Sequence, residues 1–212
     1  YLVFGFLLVG ALFRTGEFSV ADNLHVWLIL GSFSLGLLAT TISRLFQNAF
    51  YALDDTRTPA KIAVVRVVVS AAVAVPVMFQ LDRISLAELG FTRFAGEAGR
   101  ADDLFLGAMG LGLGAACGAW AELAALKLAL SRRIEGFHLP WGAIFKMIGL
   151  AWLSTLPAVG VWWLLPGMHV ALTAVIVTGV YALTYLGLAH LLGISELDAW
   201  LGRFLGRFRK KG

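Results

Sequence analysis

The chain has 212 residues, of which 59% are hydrophobic and only 14% are charged, and its formal net charge is +4. An ordinary soluble domain is about 45–50% apolar and about 25% charged, so this composition excludes such a domain and excludes a disordered chain. The single cysteine, Cys117, rules out an internal disulfide bond and disfavours a cysteine-based metal site. Lipid is therefore expected to be the solvent for most of the surface.

Six apolar segments follow one another along the chain, and five of them are long enough to cross a membrane as helices of about 20 residues. The first is shorter and begins in mid-run at Tyr1, so we interpret it as the end of a truncated helix in the later part of a larger membrane protein. Membrane strands alternate apolar and polar residues, which these runs do not. The pattern predicts an all-α, polytopic membrane helix bundle with segments at about 1–13, 24–51, 61–81, 103–130, 142–165 and 169–192.

Two features refine these helices. Thr58 and Pro59 are predicted as the N-cap and first residue of the third segment. In the fourth segment, small residues spaced along one helix predict close helix–helix packing rather than a phosphate-binding loop, because no strand precedes them. These residues are Gly110, Gly112, Gly114 and Gly118.

The basic residues are divided unequally between the two sides of the predicted bundle. If the spans alternate, one side carries four of them and the other carries eleven, so the positive-inside rule makes the second side, and the C-terminus, cytoplasmic. A membrane topology thus accounts for the positive charge without nucleic acid as a partner. The four are Arg14, Arg83, Arg93 and Arg100; the eleven are Arg57, Lys61, Lys127, Arg132, Arg133, Lys146, Arg203, Arg207, Arg209, Lys210 and Lys211.

The tail at 195–211 has a different pattern, with apolar residues at helical spacing opposite a basic face. It predicts an amphipathic helix lying in the headgroup layer, as an interfacial anchor in contact with membrane lipids. The alternative is a helix that regulates the protein or docks a partner. We therefore divide the chain into four spans at 1–130, two further spans at 131–192 and the tail at 193–212.

Three charged residues lie at least five residues from either end of the predicted spans: Arg44, Arg66 and Glu122. Counting residues to the span ends places all three about 8–15 Å below the cytoplasmic boundary. Charges at such depth face a bundle interior or a water-filled cavity. We expect Glu122 to pair with Arg66, with Arg44 nearby, and we treat all three as candidates for a substrate cavity. The alternatives are a structural ion pair without substrate contact, or an Arg66 side chain that extends to the membrane surface.

A compact polar turn joins the second and third segments, and its simplest interpretation is a turn followed by a helix cap. It consists of Asp54, Asp55, Thr56, Arg57, Thr58 and Pro59. No residue spacing suggests a catalytic triad, a metal site or a cofactor site, so an enzyme is not expected.

The run from Phe50 to Ala63 (FYALDDTRTPAKIA) resembles the F-Y-A-x-x-D-T-R-T-P signature of the MurJ (MviN) family of lipid II flippases. The turn from Leu12 to Ser19 resembles that family's L-F-x-R-G-x-F turn, with Thr15 in place of Arg. The resemblance covers about 1–130, and the two later segments fit the family's extra C-terminal pair.

The resemblance implies a fourteen-helix transporter of the bacterial inner membrane. This chain would supply helices nine to fourteen, and its partner would be the N-terminal half of the same transporter. Lipid II, a polyprenyl-diphosphate-linked saccharide, would cross by alternating access, with its tail in a groove formed by 142–165 and 169–192. At positions where some members bind sodium, this chain has Ser70, Ala74 and Ala115, so coupling at that site is not expected.

Two other functions remain open from the sequence. One is a related exporter of polysaccharide lipids or drugs, and the other is a membrane scaffold subunit that transports nothing. The number of further spans encoded upstream of Tyr1 would separate a transporter from a subunit.

Overall fold

The computed structural model describes residues 1–13, 18–86, 88, 104–134 and 141–193, and all regular elements within these ranges are helices. The predicted all-α fold is therefore confirmed. The helices are α1 (Gly5–Phe13), α2 (Val20–Ser34), α3 (Leu37–Ala52), α4 (Arg57–Leu81), α5 (Gly107–Ser131), α6 (Trp141–Leu164) and α7 (Val170–Leu191).

Five stretches are long and apolar enough to cross a membrane: Val20–Ala52, α4, α5, α6 and α7. The nine-residue α1 is shorter than a span, as the sequence predicts. Both prolines inside the apolar segments, Pro76 and Pro157, lie within helices, in α4 and α6. The predicted tail helix at 195–211 and the turn residues 14–17 lie outside the described residues.

The second predicted segment, expected as one span, consists of two helices that meet at Leu35 and Gly36. The break is packed against α5: a Cβ added to Gly36 would lie 2.8 Å from the Cα atom of Ala116. The indole Nε1 of Trp120 donates a hydrogen bond of 3.1 Å to the carbonyl of Leu35. This bond gives the break in the helix a side-chain partner, which a backbone carbonyl inside an apolar span requires.

Helix α5 is the most buried of the candidate spans and packs against α4 on one side and α2–α3 on the other. Three of its glycines lie against α4, where a Cβ on Gly114 would come within 2.6 Å of the Cα atom of Ala74, whereas Gly112 lies against Ser32 of α2. The predicted packing role of these glycines is thus confirmed. Helices α4 and α5 are antiparallel, and their contacts repeat every four residues on both helices. The contacting pairs are Gly110 with Met78, Gly114 with Ala74, Gly118 with Ser70, and Glu122 with Arg66.

The start of α4 differs from the prediction. The helix begins at Arg57, so Pro59 is its third residue and Thr58 is not the N-cap. The Asp55 carboxylate takes the capping role, since its Oδ1 accepts hydrogen bonds from the backbone N–H groups of Arg57 (3.1 Å) and Thr58 (3.0 Å). An aspartate carboxylate satisfies the free N–H groups of a first turn at least as well as a threonine hydroxyl does.

The chain forms two compact units, Tyr1–His138 and Leu139–Gly212. The first contains α1 to α5. In the second, α6 and α7 pack against each other. Leu150, Ser154 and Ala158 are buried along one face of α6, at a spacing of four residues.

Candidate functional site: a buried ion pair and the polar face of α3

The centre of the candidate site is Glu122, whose side chain on α5 is only 2% exposed. Its Oε2 lies 2.8 Å from Nη1 of Arg66 on α4, and its Oε1 accepts a 2.8 Å hydrogen bond from Nε2 of Gln47 on α3. Both carboxylate oxygens therefore have a donor. The predicted pairing of Arg66 with Glu122 is confirmed.

The register of α4 and α5 explains why these two charges meet. Glu122 follows Gly118 by one turn, and Arg66 precedes Ser70 by one turn on the antiparallel partner. The small residues let the two helices pack closely, and this register places Glu122 opposite Arg66. The ion pair is therefore the next contact along the interface after Gly118 and Ser70. A charge buried in a membrane helix needs such a partner.

Gln47 is the residue that the sequence analysis missed. A search for charged residues inside spans does not find an uncharged amide. The available signal was its spacing, because Gln47 lies three residues after Arg44 and so on the same face of the helix. Gln47 joins α3 to the ion pair, so three helices share one polar contact.

We define the polar face of α3 as Thr40, Thr41, Arg44, Gln47, Asn48 and Tyr51. At 3.6 residues per turn these positions cover about 120° of the helix surface. The buried side of α3, which includes Phe46 and Phe50, borders this face at Gln47. Beyond the far edge lie exposed apolar residues, including Leu45, which is 63% exposed. Helix α3 thus has a packed side, a polar side and an apolar side.

Arg44 lies on the polar face, one turn before Gln47, and is exposed. Within the described parts of the chain it makes no ion pair, which distinguishes it from Arg66. Arg44 therefore lies one turn along α3 from Gln47, the residue that contacts the buried pair. Its role in a substrate cavity remains a prediction.

The polar turn of the predicted signature is held to the end of α5. Asp55 Oδ2 accepts a hydrogen bond of 2.6 Å from the Thr58 hydroxyl and lies 2.6 Å from Nη2 of Arg133. The Arg133 guanidinium also lies over the ring of the fully buried Phe50, 5.8 Å from its centre. This cluster fixes the α3–α4 turn against α5 at the end of the bundle that carries the basic loops.

The electrostatics of this turn favour an ionised Asp55. Hydrogen bonds from the side chain and backbone of Thr58, together with the charge of Arg133, hold the pKa of the Asp55 carboxyl below its ordinary value of 3.8. The preceding residue, Asp54, has a positive φ of 56°, a conformation that closes the C-terminus of α3. There the N–H of Asp55 bonds the carbonyl of Phe50 at 3.0 Å.

Other kinds of site have less support. In the part of the chain that the structure describes, no three His, Cys, Asp or Glu side chains come together as metal ligands would. A separate cavity of about 210 Å³ lies between Leu2, which precedes α1, and the helices α2 and α5. It is lined mainly by apolar side chains, among them Leu2, Trp27 and Leu113, and holds no charged group.

Comparison with known proteins bears on the first four helices. The family model described as "Lipid II flippase MurJ" matches residues 1–90, which include α1 to α4 and the whole D-D-T-R-T-P turn. No curated protein and no solved structure matches the chain. This match confirms the resemblance seen in the sequence: residues 1–90 are similar to the MurJ lipid II flippase family.

Proposed function

We propose that the chain is part of a lipid II flippase of the bacterial inner membrane, with the polar face of α3 exposed to the headgroup of the lipid. The observation that carries the proposal is the family match over residues 1–90, which contain that face. The five apolar stretches long enough to span a membrane support a multi-pass transporter of an amphiphilic substrate.

Among the three charged candidates, Arg44 is the residue proposed to meet the substrate's diphosphate. Arg66 is neutralised by Glu122 at 2.8 Å, whereas Arg44 has no carboxylate partner within the described residues. An unpaired guanidinium offers up to five N–H donors to phosphate oxygens. The Arg66–Glu122 pair, linked to Gln47, is proposed to hold α3, α4 and α5 in place around that face.

No covalent chemistry is required for this function. A diphosphate entering hydrocarbon would lose its hydration at a cost of several kcal/mol or more, and fixed cationic and polar groups offset that loss. The lipid tail stays in the bilayer, and α6 and α7 are proposed as its groove. Alternating access would then exchange cytoplasm-facing and periplasm-facing states by rocking of two lobes. In this arrangement the end with Asp55 and Arg133 is cytoplasmic.

The test is lipid II translocation by the natural gene product in vesicles, measured as the fraction of lipid II that becomes accessible from the opposite side. We expect Arg44→Gln to slow translocation about tenfold or more, because a charge-assisted hydrogen bond contributes about 1.5–3 kcal/mol. Arg44→Lys keeps the charge and should retain more activity. Leu45→Ala, on the exposed apolar side of α3, is the matched control.

Two results would redirect the assignment. Translocation of another polyprenyl-linked saccharide or of cationic drugs, but not of lipid II, would indicate the related exporters. No transport of any such substrate, with normal insertion and stability, would indicate a scaffold subunit.

A further inference from the structure

Besides Arg44, the polar face of α3 carries two polar side chains that have no hydrogen-bond partner among the described residues. Asn48 and Tyr51 are exposed on the same face, and Tyr51 is 50% exposed. Within the described parts of the chain, neither side chain forms a hydrogen bond to another residue. The nearby Thr41 differs, because its hydroxyl donates a 2.9 Å bond to the Leu37 carbonyl of its own helix.

The three unpartnered side chains form a line along the helix. Arg44, Asn48 and Tyr51 are separated by four and three residues, which is one turn each, or about 6 and 4.5 Å of rise. The line runs from the interior position of Arg44 to Tyr51, one residue before the end of α3 at Ala52. An amide inside an apolar span is costly against lipid, so this line indicates contact with a polar partner.

We infer that Asn48 and Tyr51 recognise the sugar of a polyprenyl-diphosphate-linked saccharide whose diphosphate lies at Arg44. This inference rests on the proposed function and assigns the substrate class to side chains beyond the charged ones. The amide of Asn48 donates and accepts hydrogen bonds, and the phenol of Tyr51 does both, which matches sugar hydroxyls. A guanidinium matches the diphosphate oxygens.

The order along α3 also fits the chemistry of such a lipid. The diphosphate connects the polyprenyl tail to the sugar, so the sugar lies beyond it, on the side of the water. Asn48 and Tyr51 lie between Arg44 and the end of the helix, where the polar turn with Asp55 begins. A sugar held there would be on the same side as the basic loops.

The test compares two probes: lipid II, and the same polyprenyl diphosphate without sugar. Binding to the purified natural gene product in detergent is measured for the wild type, for the double variant Asn48→Leu with Tyr51→Phe, and for Arg44→Gln. We expect the double variant to bind lipid II about tenfold more weakly, equivalent to about 1.4 kcal/mol, with sugar-free binding unchanged. Arg44→Gln should weaken both probes. Leu45→Ala should change neither.

Each other outcome has a definite meaning. Equal weakening of both probes by the double variant, or no weakening, overturns the assignment of sugar recognition. A double variant that fails to fold, or that melts well below Leu45→Ala, shows that this face is a packing surface and also overturns it. Wild-type protein that binds neither probe contradicts the proposed function itself. If the wild type transports lipid II but the double variant does not lose lipid II binding selectively, only the inference is contradicted and the proposed function stands.

Discussion

Removing one member of the Arg66–Glu122 pair should destabilise the protein asymmetrically. The Glu122 side chain is 2% exposed and the Arg66 side chain is 35% exposed. In Arg66→Met, the carboxylate stays buried with only the Gln47 amide as a donor, which should cost about 3 kcal/mol. In Glu122→Met, the half-exposed guanidinium can turn towards water or headgroups, so we expect a smaller cost of about 1–2 kcal/mol. The double variant leaves no buried charge and should be more stable than Arg66→Met alone.

Reversible unfolding in mixed detergent micelles, followed by tryptophan fluorescence, measures all four free energies. We expect a coupling energy of at least about 2 kcal/mol between the two sites. On the scale of soluble domains of this size, each kcal/mol corresponds to about 2–4 °C in Tm. A larger loss for Glu122→Met than for Arg66→Met, or additive losses, would refute the burial argument.

The exchanged pair, Arg66→Glu with Glu122→Arg, should recover activity lost in either single reversal, since an amide such as Gln47 can accept as well as donate.

Three further predictions concern other contacts. Gly114→Leu should force α4 and α5 apart and lower Tm by several degrees. Gly149→Leu should leave Tm within about 2 °C, because a Cβ added there would meet nothing within 4 Å beyond the adjacent backbone of its own helix; equal effects would contradict the close packing. The stability advantage of wild type over Asp55→Asn should be full at neutral pH and shrink as pH falls below about 4 through the lowered pKa of Asp55, so an advantage that grows on acidification in thermal melts would exclude this role. Trp120→Phe should remove the hydrogen bond at the α2–α3 break and speed amide hydrogen exchange there, with no change expected at the distant α4 N-terminus.

Much of the architecture was predictable from local sequence. Apolar runs of 20 or more residues predict spans because lipid forces the backbone to satisfy its own hydrogen bonds. The intramembrane charges could also be found, since Arg66 and Glu122 interrupt these runs, and their similar depth indicated a pair. The glycines of α5 predicted close packing because only small side chains allow two helices to approach so closely.

Other features depended on partners far away in the sequence. Thr58 and Pro59 have the composition of a helix start, yet α4 begins at Arg57, two residues before Pro59, and it is capped by the Asp55 carboxylate, which also pairs with Arg133. Gln47 carries no charge and was missed, although its amide donates the hydrogen bond to the second carboxylate oxygen of Glu122. Arg133 was counted only as a basic loop residue.

The sequence by itself determined the fold class, the number of apolar stretches able to span a membrane and the run of residues that resembles the MurJ signature, because these follow from local composition and spacing. Only the tertiary structure decided that the stretch Val20–Ala52 breaks at Leu35 and Gly36, and that the polar face of α3 borders the buried ion pair. The reason is physical. Which faces of two helices meet is set by side-chain packing across the bundle, and residues such as Gly36 and Ala116 come together from positions 80 apart in the chain.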